Sequence, residues 1–316
     1  MRRPPIVVVG AGAFGKNHVR TFSELGSLFG VVDQDEELLS KVTRDCPGTK
    51  TWADLDKALL DITKAAFVIS TPAPTHFELA RQVLEKGHDV LVEKPITLSS
   101  KEARTLNGLA QKKGSILMVG HLLLFQPFLS WFKEEFETGC LGAIRRVSTQ
   151  RTKLGTVRSS ENVWWSFAPH DIAVVLELLG RPGLSSVQAH GSCTIQNNVE
   201  DDVHVELGFD NGASAHIHSS WLWPDNIRRT TVICENKMLV YDEVANSVTI
   251  YNSKIDGDLS HHPDPSPKTL ALPKANFLEL ECQHFLSCIE NRSTPIPDGQ
   301  NGLSVVDILE KAHKLL

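Results

Sequence analysis

No apolar stretch in this 316-residue sequence approaches the roughly 18–20 residues that a bilayer-spanning helix needs. A membrane partner is therefore not expected. Cations are nowhere concentrated: beyond Arg2-Arg3 there is no Lys/Arg run, and 32 basic residues face 38 acidic ones, a net charge of −6. Nucleic acid, whose phosphates demand clustered cations, is excluded on the same ground. The six cysteines (Cys46, Cys140, Cys193, Cys234, Cys282, Cys288) contain no C-x-x-C pair. This excludes a disulfide frame or zinc ribbon and predicts free thiols in a reducing cytoplasm. No secretory signal is read at the N-terminus, because its first apolar run continues straight into a glycine turn. Internal repeats and low-complexity tails are absent. The thirteen histidines offer two close pairs, His216/His218 on one strand face and His261/His262 in a Pro-rich loop. Neither has a carboxylate or thiol at ligand spacing nearby, so no metal is expected.

What the chain does contain begins at Ile6-Val-Val-Val-Gly10-Ala-Gly12-Ala-Phe-Gly15. Four β-branched residues predict a short buried strand, and three glycines at G-x-G-x-x-G spacing lead into a helix-compatible run, Lys16 to Leu25. Gly10 permits the tight turn, Gly12 lets a pyrophosphate approach the backbone, and Gly15 lets helix and strand pack closely. The free N–H groups at the helix start would meet the phosphates. A second strand ends at Asp33, eighteen residues past Gly15, about where a ribose-binding carboxylate belongs.

At this length two domains are expected, each able to bury its own core. Composition agrees with a soluble globular protein, at 41% hydrophobic and 22% charged residues. Residues 1–122 alternate strand and helix, which predicts a parallel sheet in a Rossmann dinucleotide-binding domain, with ligands at the strands' carboxyl ends. Residues 123–316 change pattern. Strand-like runs at 143–152, 187–195, 203–209, 213–221, 229–235 and 248–251 follow a helix at 128–137, with Asn211-Gly212 as a hairpin signal. A helix is expected from His170 to Leu179, a mobile loop over 256–267, and two closing helices at 276–290 and 302–316. The whole is α/β, its second part an α+β domain with an open-faced, largely antiparallel sheet. An apolar sheet face short of covering helices predicts a homodimer or homotetramer through that sheet.

Two residues carry the candidate chemistry. Lys94 stands at the carboxyl end of a parallel strand, Val90-Leu91-Val92, between Glu93 and Pro95. Burial beside an apolar ring would lower a lysine's pKa toward the range useful for proton transfer. The bland reading is an exposed loop lysine paired with Glu93. The sequence does not decide whether the Lys94–Pro95 bond is cis. His170 follows Trp164-Trp-Ser-Phe-Ala-Pro, and with Asp171 it is placed in the first turn of its helix. There a neutral imidazole takes a hydroxyl proton; alternatively, His170 caps the helix and Asp171 answers its dipole. Arg151, Lys153 and Arg158 offer charge-assisted bonds to a diphosphate or form a solvated strand edge. Trp164, Trp165, Trp221 and Trp223 stack on a sugar or base, or belong to the core.

Together, Gly15-Lys-Asn-His18, Thr71-Pro72-Ala-Pro-Thr-His76, Glu93-Lys94-Pro95 and His170-Asp171-Ile172 resemble the glucose–fructose oxidoreductase/inositol dehydrogenase (Gfo/Idh/MocA) family across nearly the whole chain. The resemblance implies an NAD(P)-dependent oxidoreductase acting on a sugar, cyclitol or nucleotide sugar. It implies Lys94 and His170 as catalytic residues. Gly10, Gly12, Ala13, Phe14, Gly15, Asp33, Thr71, Pro72, His76, Glu93 and Lys94 are implied as cofactor-binding, with Asp33 favouring NAD over NADP. Arg151, Lys153, Arg158, Trp165 and Asp171 are the candidate substrate residues. Many members carry Asp four residues before the histidine, where this chain has Ser166. The stretches Gly120 to Phe125, Glu161 to Asp171 and Ser220-Trp221-Leu222 look like a subgroup associated with UDP-N-acetylglucosamine-type 3-dehydrogenases. This implies oxidation at C3 of a UDP-N-acetylhexosamine or its uronate. A dehydrogenase of a free sugar or inositol, a redox-neutral glycosidase or epimerase that retains NAD, and a regulator sensing NAD or sugar are the competing readings.

Overall fold

The computed structural model describes residues 3–159 and 161–316. The chain divides into two compact units: Met1–Leu122 with Asn276–Asp307, and Leu123–Ala275 with Ile308–Leu316.

In the first unit apolar runs form strands, and those at Ile6–Val9, Ala66–Ile69, Asp89–Glu93 and Leu117–Gly120 are buried along nearly their whole length, as a sheet between helix layers requires. The strands are β1 (Ile6–Val9), β2 (Leu28–Val32), β3 (Lys50–Trp52), β4 (Ala66–Ile69), β5 (Asp89–Glu93) and β6 (Leu117–Gly120). Between them run α1 (Gly15–Glu24), α2 (Glu36–Asp45), α3 (Leu55–Asp61), α4 (His76–Glu85) and α5 (Ser100–Lys113). Asp35 and Asp54 cap α2 and α3 through their side chains, each satisfying N–H groups that the first turn leaves open. All neighbouring strands pair in parallel, in the order β3-β2-β1-β4-β5-β6. The order reverses between β1 and β4, which opens a crevice at their carboxyl ends.

The second unit holds α6 (Pro127–Glu137), β7 (Ile144–Thr152), α7 (Val163–Leu179), β8 (Leu184–Ser192), β9 (Asp202–Phe209), β10 (Ser214–Ser220), β11 (Ile227–Cys234), β12 (Met238–Asp242) and β13 (Ser247–Tyr251). A short hairpin, β14 (Lys254–Ile255) with β15 (His261–His262), interrupts the segment expected as a plain loop. β16 (Lys268–Ala271) completes an eight-stranded sheet, ordered β16-β13-β12-β11-β7-β10-β9-β8. Every pairing is antiparallel except β7 with β10. Val203, Val205 and Leu207 of β9 and Ala215 and Ile217 of β10 are buried on the face that meets α7. The alternate positions carry Asp202, His204 and Glu206, then His216 and His218, so the other face is polar there. The expectation of an apolar outer face is corrected for these strands.

Two expected boundaries are corrected as well. The helix placed at His170 begins seven residues earlier, because Asn162 caps it by accepting from the Trp165 N–H. Pro169 lies inside α7, where it withholds one N–H without ending a helix whose flanks are buried. The closing helices do not stay with residues 123–275. α8 (Phe277–Asn291) packs on α1, and α9 (Gly299–His313) is divided between the units after Asp307. Cys282 and Phe285 of α8 are fully buried, and Arg292 pairs with Asp89 at 2.7 Å. Among the described residues no helix is long and apolar enough to cross a membrane.

Candidate functional site

The glycine turn has the geometry its spacing predicts. Gly10 has φ +91°, and a Cβ there would lie 2.8 Å from the Ser70 carbonyl oxygen. A Cβ on Gly15 would overlap the Gly10 carbonyl oxygen outright, a contact no side chain survives. A Cβ on Gly12, by contrast, would meet nothing within 4 Å. That position faces open space, as a pyrophosphate cradle must. Ala13 and Phe14 are exposed at the start of α1. At the end of β2 the Asp33 carboxylate accepts from the Ala11 N–H at 2.6 Å and the Asp35 N–H at 2.9 Å. One bond on each oxygen leaves further lone pairs for a ribose diol. The residues of this turn therefore fit a dinucleotide.

Thr71 and the exposed Pro72 follow β4 beside the same turn; the Thr71 methyl lies 2.9 Å from where a Gly10 Cβ would be. His76 is buried, and its two ring nitrogens lie 2.8 Å from the Pro95 and Thr71 carbonyl oxygens. It ties the Thr71 loop to the strand end at Pro95. Lys94 is half-buried directly after β5, and the Lys94–Pro95 peptide is cis. Glu93 is held from two sides: Oε1 lies 2.7 Å from His18 Nε2, and Oε2 accepts the Lys94 N–H at 3.2 Å. The Glu93 carboxylate is thus spent on fixing the backbone that presents Lys94.

One member of this group was not foreseen. Glu281 of α8 is 0% exposed, and its ligand oxygen, Glu93's and a His18 nitrogen all lie within 4.8 Å of one another. Neither Glu281 oxygen finds a hydrogen-bond partner among the described residues. Burial, then the nearby Glu93 charge, pushes the Glu281 carboxyl well above the ordinary 4.5. The folded protein keeps this proton where the unfolded chain releases it. Its contribution is therefore complete below pH 4.5 and is lost as pH climbs toward the folded value. Glu281→Gln, neutral at every pH, is expected to gain on the parent protein as pH rises, by up to about 1.4 kcal/mol per pH unit. Denaturant melts across this range check it. Parallel stability–pH curves would show that Glu281 holds no such proton.

In the second unit His170 lies mid-helix in α7 and is half-buried, so neither the first-turn position nor the helix-cap reading holds. Ser166, four residues earlier, shares its helix face. Asp171 is buried and is not free to answer a dipole or a substrate. Arg151 of β7 donates to both of its oxygens, at 2.8 and 3.2 Å, and to Glu243 at 3.1 Å; Arg228 completes the group at 2.9 Å from Glu243. Burial opposes the Arg151 charge, but Asp171 and Glu243 outweigh it and raise its pKa. Arg151 is thus committed through Nε and Nη2 to two buried carboxylates. The other candidates are separate: Lys153 Nζ sits 5.8 Å over the Phe167 ring, and Arg158 is an exposed partner of Glu161 at 2.5 Å. Trp165 is half-buried and meets His313 in a T-shaped ring contact, whereas Trp164 and Trp221 are core.

Known proteins share both units. Residues 5–121 match the Gfo/Idh/MocA oxidoreductase family with its NAD-binding Rossmann fold, and residues 132–240 match the Gfo/Idh/MocA C-terminal domain. The chain is 25% identical over 300 residues to the UDP-N-acetylglucosamine 3-dehydrogenase of Acidithiobacillus ferrooxidans, covering 95% of this chain and 93% of that protein. The solved structure of that dehydrogenase superposes with a TM-score of 0.89, over 100% of this chain and 98% of that one. The scyllo-inositol 2-dehydrogenase (NAD(+)) of Bacillus subtilis is 27% identical over 305 residues, 92% and 87% of the two chains. With both units matched and the glycine turn built to receive a dinucleotide, the chain belongs to the Gfo/Idh/MocA family of oxidoreductases.

Proposed function

We propose that this oxidoreductase dehydrogenates a secondary hydroxyl of a nucleotide sugar, at C3 of a UDP-N-acetylhexosamine or its uronate. The carrying observation is the continuous tie from the glycine turn through Thr71 and His76 to the Glu93-Lys94-Pro95 strand end. It sets a half-buried amine at the carboxyl edge of the sheet, beside a dinucleotide cradle. The N–H groups of the Gly10–Gly15 turn hold the pyrophosphate, and Asp33 accepts from the adenosine ribose hydroxyls. NAD, when bound, supplies the hydride acceptor. Lys94 contacts the carbinol oxygen and takes part in moving its proton as the hydride leaves; His170 is the second catalytic residue that the family resemblance implies. Lys153 and Arg158 remain as cations for a substrate diphosphate, and Trp165 as a stacking face. The relative named as a UDP-N-acetylglucosamine 3-dehydrogenase, matched over 95% of this chain, supports the nucleotide-sugar version. The inositol dehydrogenase, matched over 92%, supports a free cyclitol as the second reading.

A panel of UDP-sugars, free hexoses and inositols with NAD, read by absorbance of the reduced cofactor, separates the two. Turnover is expected with UDP-N-acetylhexosamines and with NAD at least about tenfold better than NADP. A 2′-phosphate would be repelled by Asp33, and tenfold needs only about 1.4 kcal/mol. Turnover confined to unphosphorylated polyols eliminates the nucleotide-sugar version.

A further inference from the structure

The outward polar face of β9 and β10 carries a group that plays no part in the site above. β9 and β10 pair antiparallel with His204 directly opposite His218. Asp202 precedes His204 by two residues and so points from the same face. The two imidazoles are stacked, centroids 3.9 Å apart and planes 13° from parallel. Their Nε2 atoms both turn to one carboxylate: His204 lies 3.2 Å from Asp202 Oδ1, and His218 lies 3.3 Å from Oδ2. One ligand atom from each residue falls within 4.8 Å of the others.

We propose that Asp202, His204 and His218 form a binding site for a first-row divalent transition-metal ion of the zinc class. Two imidazole nitrogens and one carboxylate oxygen are a donor set such ions take with three protein ligands and an open fourth position. Calcium and magnesium, which require oxygen cages, are disfavoured by the same set. Zinc–nitrogen bonds of about 2.0–2.1 Å require the two stacked imidazoles to turn out of parallel, so that both Nε2 lone pairs and the Asp202 carboxylate meet one centre. The surroundings supply the orienting contacts that metal-bound histidines need. His204 Nδ1 lies 3.3 Å from His216 Nε2, whose own Nδ1 faces the Ser148 hydroxyl at 3.5 Å. That chain engages the far nitrogen of His204 and leaves Nε2 as its ligand atom. His218 is walled by the Trp223 ring, at 5.2 Å and 83°. The His204 side chain, 46% exposed, gives the ion a path in, while His218 is only 8% exposed.

Tag-free full-length protein titrated with zinc chloride in a calorimeter is expected to bind one ion per chain in the micromolar range or tighter. Cobalt(II) at the same site should give tetrahedral visible absorption without the charge-transfer band of a thiolate ligand. Asp202→Asn and His204→Ala, both on accessible side chains, should each weaken binding at least about tenfold, a change of about 1.4 kcal/mol. His262→Ala, which removes an ordinary surface histidine 2.8 Å from Asp256, should leave it unchanged. Circular dichroism confirms that each variant is folded. Zinc binding that survives His204→Ala, or no saturation up to millimolar zinc, overturns the site.

Discussion

Lys94→Ala is expected to lower kcat by about 10²–10⁴-fold, the range assigned to a positioned proton-transfer group, while NAD still binds. The separation follows from where the parts sit. The glycine turn and Asp33 belong to β1, α1 and β2, whereas Lys94 follows β5 and is presented by a carboxylate of its own strand. Truncating its amine removes the proposed proton-transfer group without touching the turn. Lys94→Arg should not rescue turnover, since a guanidinium stays charged and cannot cycle a proton. Calorimetric titration with NAD and steady-state kinetics on the best UDP-sugar check both halves. Undiminished kcat in Lys94→Ala would remove this amine from the chemistry, and lost NAD binding would make its role that of a cofactor ligand.

The parts of this fold that were legible in the sequence are those written in short segments. Gly10, Gly12 and Gly15 specify their turn within six residues, because each constraint acts on the backbone between one strand and one helix. Glu93-Lys94-Pro95 and the Asn211-Gly212 hairpin were legible for the same reason. What could not be read depends on partners far along the chain. Arg151 looked like a free cation because Asp171 and Glu243 lie 20 and 92 residues away. The His216/His218 pair looked ligand-poor because Asp202 enters from the neighbouring strand. Glu281 sat in an ordinary amphipathic helix, with nothing local to say that α8 returns to the first unit and meets His18. Pro169 points to the wrong start for α7, because burial along the helix outweighs a proline's local preference. The strands missed, β3, β12, β14, β15 and β16, are two to five residues long and take their structure from the strands beside them.

The largest loss of stability is expected from Arg151→Met. Arg151 and Arg228 balance Asp171 and Glu243, and Arg151 links β7 to α7 and to the residue after β12. Replacing one member leaves buried carboxylates without their counter-charge, which costs about 3–5 kcal/mol. Replacing the whole group by apolar residues would cost far less, because the pairing itself repays little beyond its own desolvation. Burial already pushes the Asp171 carboxyl up against the pull of Arg151. Once that pull is gone, Asp171 escapes by taking a proton, which the unfolded chain does only near its ordinary value of 3.8. The variant's deficit should therefore be smallest in acid and grow as pH rises. Arg151→Lys restores the charge but not the fork that spans Asp171 and Glu243, so its recovery should be partial. Denaturant melts of the three proteins at two pH values decide it. A deficit under about 1 kcal/mol for Arg151→Met would place this network in the class of surface ion pairs and would return Arg151 to the list of cations free to meet a substrate.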